Sequence, residues 1–99
     1  MSRTPVLPAS PPPPAEYSAA EAITTLSRQG YRVTAPRRAV ITAALRQERP
    51  FTAEQLVAET SSGEGESGRS TVYRTLEILA SLGILSRILN ETGRPVYVA

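Results

Sequence analysis

Two copies of one local pattern fix the scale of what this chain can build. Ser18-x-x-Glu21 and Thr52-x-x-Gln55 each place a hydroxyl three residues ahead of a side chain that can reach back to the backbone. That is the reciprocal capping arrangement of a helix N-terminus. Around the second copy, Phe51 and Leu56 occupy the staple positions, where an apolar pair fixes the entering chain against the first turn. Thr34 offers a third cap, with Pro36 tolerated in the first turn that follows. Gly30 and Gly83 are natural stops, because glycine adopts the left-handed conformation that ends a helix. A chain punctuated this often is limited to short helices.

Apolar periodicity supplies the inner face of each one. Ala22, Ile23 and Leu26 turn inward on the first helix, and Tyr31 follows Gly30 as an apolar cover. Val40, Ile41, Ala44 and Leu45 form the stripe of the second, and "PFTAEQLVAET" is the third. On the fourth, Val72, Leu76, Leu79 and Leu82 are the buried stripe, with Ser70, Tyr73, Arg74 and Glu77 away from it. "ILSRILNETGRPVYV" then reads as a hairpin around "NETG", with Gly93 at a left-handed turn position and Pro95 holding the second strand to an edge or a sheet end. Four helices followed by a β-hairpin predict a mainly α domain with a small β wing, a winged helix-turn-helix, over residues 17–99. Residues 1–16 contain six prolines and read as a disordered or polyproline tail. "SSGEGESG" reads as a flexible loop.

Composition removes whole classes of function. The 99 residues include no His and no Cys, and every acid is Glu and every base Arg. Nucleophile–base pairs lack their usual members, so the chain is not expected to be an enzyme. Borderline and soft metals lack imidazole and thiolate, so no metal site or cofactor is expected within it. No apolar run has the length of a membrane span and no leader h-region is present, which leaves the cytoplasm as the expected location.

The net charge of +2 hides an uneven distribution. Residues 28–46 carry Arg28, Arg32, Arg37, Arg38 and Arg46 and no acid, whereas residues 47–66 carry five Glu against Arg49. A domain polarised in this way suits an anionic partner on one side. Arg37 and Arg38 sit at a helix start, where the macrodipole disfavours cations by a few tenths of a kcal/mol each unless an anion arrives.

"RSTVYRTLEILASLG", residues 69–83, points to the partner. In a winged helix one helix enters the major groove of double-stranded DNA, its N-terminal residues reaching base edges. Arg69, Ser70 and Thr71, with the free N–H groups of the helix start, suit phosphate. Arg74 can pair bidentately with phosphate or guanine, and the Tyr73 ring can lie on a thymine methyl. The bland alternatives are a half-buried core tyrosine and an Arg74–Glu77 pair along the helix. At the level of the whole chain, the alternative is a winged-helix protein-interaction module without DNA binding.

"GYRVTAPRRAVI", "FTAEQL" and above all "STVYRTLEILASLGIL" resemble the DNA-binding domain of the ferric uptake regulator family. The resemblance runs from about Ser18 to Val98. It implies a bacterial transcriptional regulator, usually a repressor, that acts as a metal-responsive dimer. By position, Arg32 corresponds to a basic residue reaching the minor groove, and Arg37 to the T-x-x-R turn near phosphate. Tyr73 and Arg74 correspond to the recognition-helix pair on base and backbone. The departures concern metal. Where relatives often place a His before the third helix and a Glu near the end of the wing, this sequence has Pro50 and Val98, and Ser67 replaces an apolar residue before the recognition helix. The His-rich dimerisation domain of the family has no counterpart in these residues. Zinc, a regulatory divalent metal and a homodimer are therefore expected only of a longer parent.

Overall fold

A computed structural model of the chain describes residues 17–60 and 68–99. The expectations for residues 1–16, for Ser67 and for the loop "SSGEGESG" up to Gly68 fall outside them. Four helices come first: α1 Ala19–Arg28, α2 Ala35–Leu45, α3 Ala53–Thr60 and α4 Arg69–Ser81. Two strands follow, β1 Ser86–Leu89 and β2 Pro95–Val98. The order is that of a winged helix-turn-helix.

The helix boundaries fall where the caps place them. At α1 the Ser18 hydroxyl accepts from the Glu21 N–H (3.1 Å), and the Glu21 carboxylate accepts from the Ser18 N–H (3.0 Å). The Thr52–Gln55 pair closes the same box on α3, at 3.1 and 2.8 Å. Thr34 caps α2 through the Arg37 N–H at 3.2 Å. Gly30 ends α1 with φ +91°, and its N–H and that of Tyr31 return to Ser27 and Leu26. Gly83 repeats the motif after α4, with Ile84 donating back to Leu79.

α2 packs against α1, α3 and α4, and the core gathers on that seam. Leu26, Ile41, Leu56, Leu76 and Leu79 are fully buried, each contributing about 1.5–3 kcal/mol relative to an exposed side chain. Two details of α4 depart from the apolar pattern. Thr75 is fully buried on the inner face and its hydroxyl has no hydrogen-bond partner, while Leu82 is only half-buried because the helix ends there.

β1 and β2 pair antiparallel, from Ser86 opposite Val98 to Leu89 opposite Pro95, so the proline stands at the end of the ladder. Asn90 organises the turn: its side-chain carbonyl accepts from the N–H and hydroxyl of Thr92 and from the Arg94 N–H. Gly93 takes φ +83°. On the other side of β2, Phe51 exchanges two backbone hydrogen bonds with Tyr97 (3.0 and 2.8 Å), and the two buried rings lie 6.0 Å apart. This bridge ties the wing to the start of α3. No helix among the described residues is long and apolar enough to cross a membrane.

Candidate nucleic-acid interface

The start of α4 differs from that of the other helices. Its N-cap is Gly68, in extended conformation, and among the described residues no side chain caps it. Glycine at the N-cap therefore offers the first N–H groups no hydroxyl of the kind that Ser18, Thr34 and Thr52 provide elsewhere. Arg69 and Ser70 are exposed and Thr71 is half-buried. One turn on, Tyr73 and Arg74 face outward, while Val72, Thr75 and Leu76 face the core. Tyr73 is 37% exposed and is not one of the buried core residues. Arg74 forms no ion pair with Glu77; among the described residues the one ion pair is between Arg69 and Glu54.

The arginines of α2 divide into two kinds. Arg38 is exposed and carries no ion pair among the described residues. Arg37 is half-buried, and its Nη1 donates to the backbone carbonyl of Arg32 at 2.9 Å. Its Nε is buried without a partner. Arg37 thus latches the α1–α2 turn and holds the backbone from which the exposed Arg32 side chain projects.

Glu54, in the first turn of α3, joins the leading edge of α4 to the rest of the domain. Its Oε2 accepts from the Tyr73 hydroxyl at 2.5 Å and is ion-paired to the Arg69 guanidinium. The hydrogen bond from Tyr73, and then that from Arg69, holds the Glu54 carboxyl below the usual carboxylate range. The bond to the carboxylate, helped by desolvation, pushes the Tyr73 phenol above its ordinary value. Beside this cluster a cleft of about 230 Å³ runs between α3, α4 and the wing, lined by Thr52, Ala53, Glu54, Tyr73, Arg94, Pro95 and Tyr97. The wing thus brings Arg94 to the same cleft as Tyr73.

Of the residues expected to meet DNA, the fold joins Arg69 to Tyr73 through Glu54, and Arg37 to Arg32 through a carbonyl. Arg38, Ser70, Thr71 and Arg74 make no such link among these residues. Sequence reasoning passed over Glu54 and Arg94. A base beside the hairpin turn marked Arg94, but no local pattern marked Glu54, whose partners are 15 and 19 positions away.

Residues 28–99 match the Ferric uptake regulator family. The chain belongs to that family. Among solved structures, a manganese uptake regulator superposes with a TM-score of 0.68 at 26% identity, covering 81% of this chain and 57% of its own. The ferric uptake regulator of Helicobacter pylori, whose structure is described as having three functional metal-binding sites, gives a TM-score of 0.68 at 17% identity, covering 81% of this chain and 54% of its own. The chain thus spans little more than half the length of these two proteins. No curated protein sequence matches it.

Membership of the ferric uptake regulator family raises the question of metal, and the donor set answers it. The chain has neither imidazole nor thiolate, and the described residues contain no group of three or more His, Cys, Asp or Glu that could hold an ion. Glu21 is engaged in its cap and Glu54 by Tyr73 and Arg69. Gln47 donates to both oxygens of Glu59. Pro50 and Val98 offer no side-chain donor atom. The described residues do not fit the regulatory ion of the family.

Proposed function

We propose that this chain is the DNA-binding part of a sequence-specific transcriptional regulator, a cytoplasmic repressor of the ferric uptake regulator type. The single observation that carries the reading is the N-terminal face of α4. It has a helix start with glycine at the N-cap, bearing Arg69, Ser70 and Thr71, with Tyr73 and Arg74 outward one turn later. The N–H groups of a helix start and hydroxyls suit phosphate, Arg74 suits phosphate or guanine, and the Tyr73 ring suits a thymine methyl. Arg32, Arg38 and the wing's Arg94 carry no ion pair among the described residues and supply the surrounding positive field; Arg37 supports Arg32.

One recognition helix covers one half-site, and such operators are read by two-fold dimers. A homodimer is expected only of a longer parent, and so is the metal response suggested by the names of the structural relatives. Within the chain the work is recognition, not chemistry.

The test is selection of bound duplexes from a randomised double-stranded pool at low salt, followed by competition between the selected and random duplexes. An enriched sequence that outcompetes random DNA is expected. Absence of binding to any duplex overturns the reading and favours a winged helix that contacts protein.

A further inference from the structure

We infer that Glu54 is a specificity-setting residue: by engaging Arg69 and Tyr73 together it withholds the arginine from phosphate and orients the phenol ring toward bases. The inference rests on the DNA-binding reading above and deepens it.

Glu54 has a bland role open to it. A carboxylate in the first turn of α3 is favoured by the helix macrodipole whatever else it touches. That role does not require the side chain to cross to α4. The α3 cap is already complete, because Thr52 and Gln55 satisfy each other's backbone N–H groups. The Glu54 carboxylate is free for another partner, and a single oxygen, Oε2, takes two from α4. Those partners are four residues apart on one helix face, so the contact fixes the orientation of both at once.

The consequence for DNA follows from which donors remain. The Tyr73 hydroxyl is donated to Glu54, so toward a duplex the residue offers its ring and an acceptor lone pair. The ring suits a thymine methyl, and the lone pair suits a base amino group; neither suits phosphate, which needs a donor. Arg69 is electrically balanced by Glu54 and adds little to sequence-independent attraction. The wing's Arg94, which also attracts the Glu54 carboxylate, lines the same cleft and carries no ion pair among the described residues. The arrangement subtracts one phosphate contact and keeps one base contact, which raises discrimination at the expense of indiscriminate affinity.

The experiment compares the parent chain with E54Q, E54A and the double variant E54Q/R69A. Each is titrated by fluorescence anisotropy against a random-sequence duplex and against the duplex selected above. Freed Arg69 is expected to steepen the log K versus log salt slope on random DNA by about 0.9, so that the affinity lost between 50 and 200 mM salt grows about 3.5-fold. Preference for the selected duplex is expected to fall about fivefold or more, as an oriented base contact is lost. E54Q/R69A is expected to regain the parental slope. Circular dichroism checks that each variant is folded, and return of the parental slope in E54Q/R69A separates this role from a structural one. A readout without DNA is the alkaline absorbance titration of Tyr73, isolated by subtracting Y73F; its delayed ionisation should move back toward the ordinary range in E54Q. If the parent chain binds duplexes and both Glu54 variants keep its slope and preference, the inference is overturned while DNA binding stands. If the parent chain binds no duplex, the DNA reading fails and this one with it.

Discussion

Replacing Arg38 with alanine removes a charge that the fold leaves without an ion pair among the described residues, and the size of the effect can be worked out in advance. Four arginines of the proposed interface are in that state: Arg32, Arg38, Arg74 and Arg94. If each neutralises one phosphate, log K falls with log salt at a slope of about −3.6, from about 0.9 per contact. Raising salt from 50 to 200 mM then weakens binding about 150-fold. Arg38→Ala leaves three contacts, a slope of about −2.7 and a loss of about 40-fold over the same range. Arg37→Ala should behave differently although it sits next door. Its guanidinium is committed to the Arg32 carbonyl, so the slope should stay within about half a contact of the parent. Stability should instead drop by about 1 kcal/mol, because one hydrogen bond of the α1–α2 turn is lost. Anisotropy titrations at several salt concentrations measure the slopes, and thermal unfolding measures the stabilities. Equal loss of slope in the Arg37 and Arg38 variants would refute the division of labour between them. A parental slope shallower than about −1 would refute the electrostatic surface as a whole.

Tyr73→Ala is expected to cost about 1–3 kcal/mol on the selected duplex and much less on random DNA; equal weakening of both would remove Tyr73 from base reading. Thr75→Val replaces a fully buried hydroxyl that has no partner with a methyl of similar shape, and should stabilise the domain by about 1 kcal/mol, a rise in Tm of about 4–8 °C; a lower Tm in calorimetry would show that the hydroxyl is satisfied in solution. Zinc and manganese titrated into the chain by calorimetry should show no stoichiometric binding tighter than about 10 μM, and chelator should leave DNA affinity unchanged; either effect would show that the carboxylates assemble a site without imidazole or thiolate.

Much of the fold was legible because its signals are local. A capping box spans four residues and a Gly-ended helix terminus six, so Ser18–Glu21, Thr52–Gln55, Gly30 and Gly83 act through the same short-range hydrogen bonds in any packing context. The 3.6-residue period likewise fixed which side of α4 turns inward, and with it the outward position of Tyr73 and Arg74. Thr75 on the inner face broke the pattern, because a buried position is decided by where the neighbouring helices lie and not by the polarity of the residue that fills it.

Only the tertiary structure decided which of the outward groups are committed. Arg37 and Arg38 are adjacent in sequence and alike in chemistry, yet one reaches a carbonyl across the α1–α2 turn and the other does not. Glu54 was one acid among nine until α3 came to rest beside α4, where its carboxylate meets Arg69 and Tyr73. The wing itself was foreseen as a hairpin, but its anchorage through the Phe51–Tyr97 bridge was not. Helix caps and periodicities are properties of a few consecutive residues, and the sequence carries them intact. Contacts between residues far apart in the chain depend on the angles at which finished helices pack, and those angles follow from the whole core filling its volume at once.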